Sequence, residues 1–155
     1  MRIKWFSLIR ITGLLLVLLY HFFQTIYPGG FFGVDVFFTF SGFLITALLI
    51  EEFSKSHEID LVGFFRRRFY RIVPPVVLMV LVTMPFTFLV RQDYVAGIGG
   101  QIAGVLGFMT NFYELLTGGS YESQFIPHLF VHNWSLAVEV HYYILWGLAV
   151  WFLSK

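Results

Sequence analysis

Runs of about 20 consecutive apolar residues constrain the fold of this chain more than any other feature of its sequence. A helix of that length crosses the roughly 30 Å of hydrocarbon in a bilayer. The apolar residues form continuous runs instead of recurring along one helical face, as they would in a soluble helix. Only 12% of the residues are charged, whereas soluble domains carry about a quarter. We therefore expect an integral membrane protein.

The continuous runs predict helices, because a membrane β-barrel would show short segments of alternating polarity. The predicted fold class is all-α, a polytopic transmembrane helical bundle with about five hydrophobic segments. We place these segments at residues 11–27, 31–50, 72–90, 95–113 and 134–153. The fourth segment is rich in glycine, which favours a closely packed or re-entrant helix. Whether it crosses the membrane stays open, and so does the side of the loop 114–133 and of the C-terminus.

Basic residues predict the orientation of the first segments. Arg2, Lys4 and Arg10 lie near the N-terminus, and four arginines lie in the predicted loop 51–71. Under the positive-inside rule both regions are cytoplasmic. The turn residues at 28–30 (Pro-Gly-Gly) then join the first two helices as an antiparallel hairpin.

Charge and cysteine content exclude several classes of function. The net charge is +1 and the aromatic residues sit in apolar runs, so we expect no nucleic acid partner. The chain has no cysteine, which excludes disulfides and thiolate nucleophiles. His128 and His132 have the spacing H-x-x-x-H, but the pattern H-E-x-x-H is absent, and we expect no metal site. The lipid bilayer is the first expected partner.

Two polar residues of the first segment share one helical face. Arg10 and His21 are eleven residues apart, which places them about 16 Å apart along the axis on the same side. The pair presents a cation and a base. The alternative is that Arg10 anchors the helix at the interface and His21 belongs to an aromatic belt.

The second segment carries a stripe of polar and small residues. Asp35, Thr39, Gly42 and Thr46 follow helical spacing on a helix rich in phenylalanine. We expect the stripe to face protein. Asp35 lies near the start of the helix, so stabilising the N-terminus and taking part in catalysis both stay open as its role.

The last segment combines a carboxylate with histidines. His132 and Glu139 are seven residues apart and Ser135 lies four before Glu139, so helical spacing puts all three on one face. A carboxylate within an apolar span needs a buried partner. We expect Glu139 to have such a partner, in a structural or a catalytic role.

A run of arginines precedes the third segment. Arg66, Arg67, Arg68 and Arg71 lie where a cytoplasmic loop is predicted to enter the membrane. Such a cluster suffices to set topology or to bind anionic lipid. It also suits the phosphates of a cytoplasmic nucleotide-like donor, which guanidinium groups bind through paired hydrogen bonds. Both interpretations stay open at this point.

Taken together, these stretches resemble the acyltransferase 3 family of membrane O-acetyltransferases, which act on peptidoglycan and lipopolysaccharide. Four motifs occur in order: Arg10 and His21 as R-x10-H, residues 30–45 (GFFGVDVFFTFSGFLI), residues 66–74 (RRRFYRIVP) and residues 132–139 (HNWSLAVE). The resemblance runs over almost the whole chain. It identifies residues 1–155 as the N-terminal part of a membrane domain that is truncated relative to the family, so that the missing part or another chain would complete it.

The resemblance implies transfer of an acyl group, usually acetyl, from cytoplasmic acetyl-CoA to a hydroxyl of a cell-envelope glycan or its lipid-linked precursor. It implies a multi-pass protein of the bacterial plasma membrane, with no bound cofactor beyond the acyl-CoA donor. His21 corresponds to the essential base and Arg10 to its companion, with Glu139 and Asp35 as further catalytic candidates. The donor-binding candidates are Arg67, Arg68 and Arg71, and the supporting candidates are Ser41, His132, Trp134 and Ser135.

Two other classes remain as alternatives. In a transporter or channel component, His21, Asp35 and Glu139 would line a path for protons or substrate. In a non-catalytic membrane scaffold, mutation of His21 would change nothing beyond protein abundance.

Overall fold

A computed structural model describes residues 4–23, 25–89, 95–117 and 128–155. Two compact units divide the chain, residues 1–57 and residues 58–155. The described residues form helices and turns without strands. The all-α prediction is therefore confirmed.

The first unit is a helical hairpin. Helix α1 spans Lys4–Phe22, a 3₁₀ turn covers Pro28–Phe31, and α2 spans Phe32–Ser56. The two helices pack closely where glycine leaves room: a Cβ atom added to Gly33 would lie 2.6 Å from the carbonyl oxygen of Gly13. Close approach at small residues is the usual way in which helices associate in lipid. The antiparallel hairpin predicted from the Pro-Gly-Gly turn is present.

In the second unit, α3 spans Leu61–Thr83 and continues as a 3₁₀ helix over Met84–Leu89. Asp60 caps its start, because a carboxylate oxygen accepts a hydrogen bond from the backbone N–H of Gly63 at 2.8 Å. The helix runs through Pro74 and Pro75. Each proline removes one backbone donor, which leaves the carbonyls of Tyr70 and Arg71 without their usual helical partner.

The glycine-rich fourth segment folds back on itself. Helix α4 spans Ile98–Leu106 and α5 spans Thr110–Thr117. The hydroxyl of Tyr113 donates to the carbonyl of Gly97 at 3.3 Å, so the two helices run antiparallel. At about 1.5 Å per residue, each is far too short to cross about 30 Å of hydrocarbon. The segment is thus a closely packed helical hairpin, and its re-entrance into the membrane stays a prediction.

The tip of this hairpin is a Schellman motif with an unusual residue. The N–H of Phe108 donates to Val105 at 3.1 Å, and the N–H of Met109 donates to Gly104 at 2.7 Å. Phe108 therefore occupies the left-handed position, with φ of 53°. Glycine usually stands there, and a residue with a Cβ atom is less favourable by about 1–2 kcal/mol.

Helix α6 spans Trp134–Leu153 and lies antiparallel to α3. Gly147 lies against Phe64 near the start of α3, whereas Phe130, just before α6, packs near its end. A buried cluster joins α3, α4 and the segment that leads into α6. Its members are Val76, Val80, Val105 and Phe130.

Three described helical stretches are long and apolar enough to span a membrane: Gly29–Ser56, Leu61–Leu89 and Val131–Leu153. A shorter apolar helix covers Leu8–Phe22. Many large apolar side chains on these helices are exposed, as expected where lipid is the solvent. The chain is a multi-pass membrane protein.

Several predicted boundaries are wrong. The first segment was expected to reach residue 27, but α1 ends at Phe22. Most of the predicted loop 51–71 is helical, because α2 continues to Ser56 and α3 begins at Leu61. The arginine run contains no residue that breaks a helix, and the Asp60 cap starts the helix ahead of it. The arginines therefore belong to α3 itself.

Candidate functional site

An apolar pocket of about 640 Å³ lies in the second unit, between α3, α6 and the tip of the α4–α5 hairpin. This volume falls in the range of roughly 300–1,000 Å³ that small-molecule sites occupy. Helix α3 contributes aromatic and aliphatic side chains together with Arg66 and Arg68, and α6 contributes Val140, Tyr143 and Ile144. Phe108 is the one lining residue that comes from the described part of the hairpin.

The polar groups beside this pocket form a connected chain. The guanidinium carbon of Arg68 lies 5.6 Å from the ring centroid of Phe64 and 5.6 Å from that of Tyr143, within the range of a cation–π contact. The hydroxyl of Tyr143 donates a hydrogen bond to a carboxylate oxygen of Glu139. Since Glu139 and Tyr143 are four residues apart on α6, helical geometry alone brings them together. The arrangement links a cation, a phenol and a carboxylate, of which the cation and the phenol line the pocket.

Arg68 also carries an unsatisfied donor. Its Nε atom is buried and has no hydrogen-bond acceptor among the described residues. A buried donor without an acceptor destabilises a protein by about 1–3 kcal/mol. Arg68 Nε can therefore donate a hydrogen bond to an acceptor outside the described residues.

The four arginines of α3 lie on two different faces of the helix. Arg66 and Arg68 line the pocket, whereas Arg67 and Arg71 do not. The helical rotation of 100° per residue explains the division, because it turns positions 67 and 71 away from the pocket. Of the three predicted donor-binding residues, only Arg68 reaches the pocket. Arg66, which is not one of those three residues, lines the pocket as well.

In the first unit, Arg10 and His21 lie on the continuous helix α1, so the helical spacing predicted for them holds. The guanidinium of Arg10 lies 5.5 Å from the ring centroid of Phe40 on α2. Nδ1 of the exposed His21 lies 2.7 Å from the carbonyl oxygen of Val17. Because a carbonyl only accepts hydrogen bonds, this contact assigns the proton of the neutral ring to Nδ1 and the lone pair to Nε2.

Within the first unit the stripe on α2 is partly covered, since Gly42 and Thr46 are half-buried. Asp35 and Thr39 are exposed, and the close contact with α1 is made at Gly33 instead. Asp35 lies in the first turn, where the helix dipole favours an anion, but the residue at the N-cap is Phe31. Ser41 is half-buried on the same helix.

His132 and Glu139, predicted to share one helical face, do not lie on the same α-helix. Residues Val131–Asn133 form a 3₁₀ turn and α6 begins at Trp134, so the seven-residue helical spacing does not apply. His132 is exposed, and its carbonyl oxygen accepts from the hydroxyl of Ser135 at 3.4 Å. The carboxylate of Glu139 instead accepts a hydrogen bond from the hydroxyl of Tyr143, which lies four residues further along α6 and thus on the side away from His132.

A second buried polar group was not predicted. Nδ1 of His128 donates to the carboxylate of Glu114 at 2.8 Å, and both side chains are nearly enclosed. Next to them, Gln101 is 1% exposed; its amide donates to the carbonyl of Ala96 at 2.7 Å and accepts from the N–H of Phe130 at 3.3 Å. These bonds tie the hairpin to the segment that leads into α6.

The described residues contain no group of three or more His, Cys, Asp or Glu side chains that could hold a metal ion. The polar groups that converge are a guanidinium, a phenol and a carboxylate, which suit an organic anion or a carbonyl compound better than a metal.

Comparison with known proteins finds a family model and several relatives that match this chain. A family model described as an acyltransferase domain matches residues 3–155. The O-acetyltransferase OatA of Staphylococcus aureus (strain NCTC 8325 / PS 47) is 32% identical over 145 residues, which are 94% of this chain and 24% of the relative. OatA of strain MRSA252 gives the same values. The chain therefore spans about a quarter of the length of these relatives. No solved structure matches it at a comparable level.

Proposed function

The chain belongs to the acyltransferase 3 family, and we infer from this that it forms part of a membrane O-acetyltransferase of the bacterial cell envelope. We propose that the protein transfers an acetyl group from acetyl-CoA to a hydroxyl of a cell-envelope glycan or its lipid-linked precursor. The observation that carries the proposal is the family match, which extends over residues 3–155. The Arg68–Tyr143–Glu139 chain beside an apolar pocket supports it, because these groups suit an anionic thioester donor.

The fold of the second unit supports one orientation in the plasma membrane. With the arginines of α3 on the cytoplasmic side, as the positive-inside rule requires, α3 runs outward. The re-entrant hairpin then enters from the outside, and α6 returns to the cytoplasm because it is antiparallel to α3. We therefore propose that loop 114–133 is extracytoplasmic and that the N-terminus is cytoplasmic.

On the donor side, we propose that Arg68 and Arg66 hold the polar part of acyl-CoA at the pocket. Both guanidinium groups line it. Arg67 and Arg71 lie on the same stretch of α3 but face away from the pocket. We therefore assign them phosphates of coenzyme A that extend outside the pocket, which guanidinium groups bind through paired hydrogen bonds. Phosphates bound far from the thioester supply binding energy that positions it.

The chemistry requires a base. The acceptor oxygen forms a bond to the thioester carbonyl carbon, the bond from that carbon to sulfur breaks, and the hydroxyl proton ends on the thiolate of coenzyme A. A neutral imidazole suits this proton transfer near pH 7. We assign it to Nε2 of His21, since Nδ1 is occupied by the Val17 carbonyl. Arg10 is its companion on α1, and Glu139 and Asp35 are the further catalytic carboxylates.

Release of free coenzyme A tests the proposal. The complete natural protein that contains this chain, in membranes, is supplied with acetyl-CoA with and without a glycan acceptor, and the new thiol is measured. We expect release that depends on the acceptor, and we expect Arg68→Gln to raise the donor KM about tenfold or more, as loss of a charge-assisted hydrogen bond does. Lys55→Gln is the matched control, since it removes a positive charge from the exposed pair with Glu51. Release that ignores the acceptor, or an equal effect of both substitutions, contradicts the proposal.

A further inference from the structure

The apolar pocket follows α3 from near its start into the membrane. Its lining on this helix begins at Val62 and ends at Val73, and a helix rises about 16 Å over that interval. The tip of the α4–α5 hairpin lies at the far end, because Phe108 lines the pocket and also packs against the cluster that contains Val76. The hydrocarbon of a bilayer is roughly 30 Å thick. The pocket therefore has about the depth of one membrane leaflet.

The rim of the pocket is open to the side. Val62 is 78% exposed, Phe69 is 57% exposed and Ile144 is 42% exposed, although all three are apolar and line the pocket. They lie on α3 and α6, which are both long and apolar enough to span a membrane. Apolar side chains exposed on spanning helices contact lipid. Within the described residues, the pocket is thus accessible to an acyl tail from the surrounding bilayer.

The cationic groups of the pocket lie toward the start of α3. The guanidinium of Arg68 lies over the ring of Phe64, so the side chain extends one helical turn back toward the start of the helix. The ring of Tyr143 holds it at the same distance of 5.6 Å. Its Nε atom is buried without an acceptor among the described residues, and Arg66 lines the same pocket. A phosphate oxygen is a suitable acceptor for this donor.

The size of the pocket indicates a long apolar chain. Its volume of about 640 Å³ is several times that of an acetyl group, so the acetyl group of the donor does not fill it. In the orientation proposed above, a phospholipid of the cytoplasmic leaflet has its phosphate at the level of the start of α3 and its tails directed toward the middle of the membrane. Basic pockets between membrane helices on the cytoplasmic side bind anionic lipid headgroups in this way.

We propose that the pocket binds an anionic phospholipid of the cytoplasmic leaflet, with its phosphate on Arg68 and Arg66 and one acyl tail between α3 and α6. Acyl-CoA competes with this lipid, because the same two guanidinium groups are assigned to the polar part of the donor. The inference rests on the proposed function for the orientation and for the donor, and it adds a regulator of the same site. The affinity for the donor then depends on the anionic lipid content of the membrane.

The test counts bound lipids on the complete natural protein that contains this chain. The purified protein in detergent is mixed with phosphatidylglycerol or with phosphatidylcholine of the same tails, and retained lipids are measured by native mass spectrometry. We expect preferential retention of phosphatidylglycerol and its displacement by acetyl-CoA. Arg68→Gln should weaken this retention about tenfold or more, whereas the charge control Lys55→Gln should not. Arg68→Lys keeps the charge and should retain more of the lipid than Arg68→Gln.

A second pair of variants tests the place of the tail. Ile144→Trp puts an indole at the rim of the pocket and should weaken the retention of phosphatidylglycerol. Leu145→Trp is the matched control, because Leu145 is an exposed neighbour on α6 outside the pocket lining. Equal effects of these two substitutions would show that the tail does not lie in the pocket and would overturn the inference.

The remaining outcomes separate this inference from the proposed function. Equal retention by the natural protein and Arg68→Gln overturns the inference, because the lipid then binds elsewhere. Absence of retained phosphatidylglycerol also overturns it, and is the result expected if another segment of the complete protein fills the pocket. Retention that acetyl-CoA does not reduce overturns the competition. A natural protein that releases coenzyme A in the assay above but retains no anionic lipid refutes this inference alone. One that retains the lipid but releases no coenzyme A refutes the proposed function alone.

Discussion

Replacing Tyr143 with phenylalanine removes one hydroxyl and leaves the ring in place. The variant loses the hydrogen bond to Glu139 but keeps the contact between the ring and Arg68. Replacing Tyr143 with leucine removes both interactions. Comparing the two substitutions therefore separates the effect of the hydrogen bond to Glu139 from the effect of the ring contact with Arg68.

The magnitudes follow from the contacts. A hydrogen bond to a charged group is worth about 1.5–3 kcal/mol, which corresponds to roughly a 10- to 150-fold lower rate if the bond positions Glu139 in the transition state. A cation–π contact is worth about 0.5–2 kcal/mol. Tyr143→Leu should therefore also raise the donor KM by roughly 2- to 30-fold, whereas Tyr143→Phe should leave this KM nearly unchanged.

The assay measures initial rates of acetyl transfer over a range of acetyl-CoA concentrations, in membranes of matched protein content. These rates give both the maximal rate of transfer and the donor KM. Tyr142→Phe is the control, because Tyr142 stacks on Trp146 and does not line the pocket. If Tyr143→Phe transfers acetyl at the natural rate, Glu139 does not act through this hydroxyl. If Tyr143→Leu leaves the donor KM unaltered, Arg68 does not depend on the ring.

Three further predictions concern stability and topology. Glu114→Leu leaves the enclosed His128 without its acceptor and should lower the free energy of unfolding by about 1–3 kcal/mol, measured by thermal unfolding in detergent. The control Glu51→Ala removes an exposed ion pair and should lower the free energy of unfolding by less than about 1 kcal/mol. Equal losses in the two variants would contradict the prediction. Gly33→Ala puts a methyl group against the Gly13 carbonyl and should reduce membrane abundance, while Gly29→Ala, whose nearest neighbour would be 3.9 Å away, should not; normal abundance of both would show that the contact does not matter. Thr117→Cys in a cysteine-free background should react with a membrane-impermeant maleimide in intact cells, and labelling only after permeabilisation would overturn the orientation.

The sequence predicted those parts of the fold that depend on local pattern. Apolar run length indicated the membrane helices, and the turn at 28–30 indicated the first hairpin. The start of α3 was missed, because the charged run from Arg66 to Arg71 was interpreted as loop although its residues favour helix and Asp60 caps it. The fold-back at Phe108 could not be located either, since the glycine expected in the left-handed position is the neighbouring residue.

The candidate site was predictable only in part. The partner of Glu139 could have been found, since Tyr143 lies one helical turn further along α6. The isolated Gln101 within an apolar, glycine-rich segment was likewise a signal for a buried polar group. By contrast, the contact of Arg68 with Tyr143 joins two helices 75 positions apart, and the pair of Glu114 and His128 is 14 positions apart. Neither follows from spacing along a single helix.

The most direct test of the central claim is transfer of labelled acetyl from acetyl-CoA to cell-envelope glycan by the complete natural protein that contains this chain. The natural protein and His21→Ala are compared in membranes matched for abundance. We predict label in a base-labile ester on the glycan with the natural protein and little or none with His21→Ala. Absence of transfer by the natural protein would contradict the acetyltransferase function, and equal transfer by His21→Ala would contradict the role of His21 as the base.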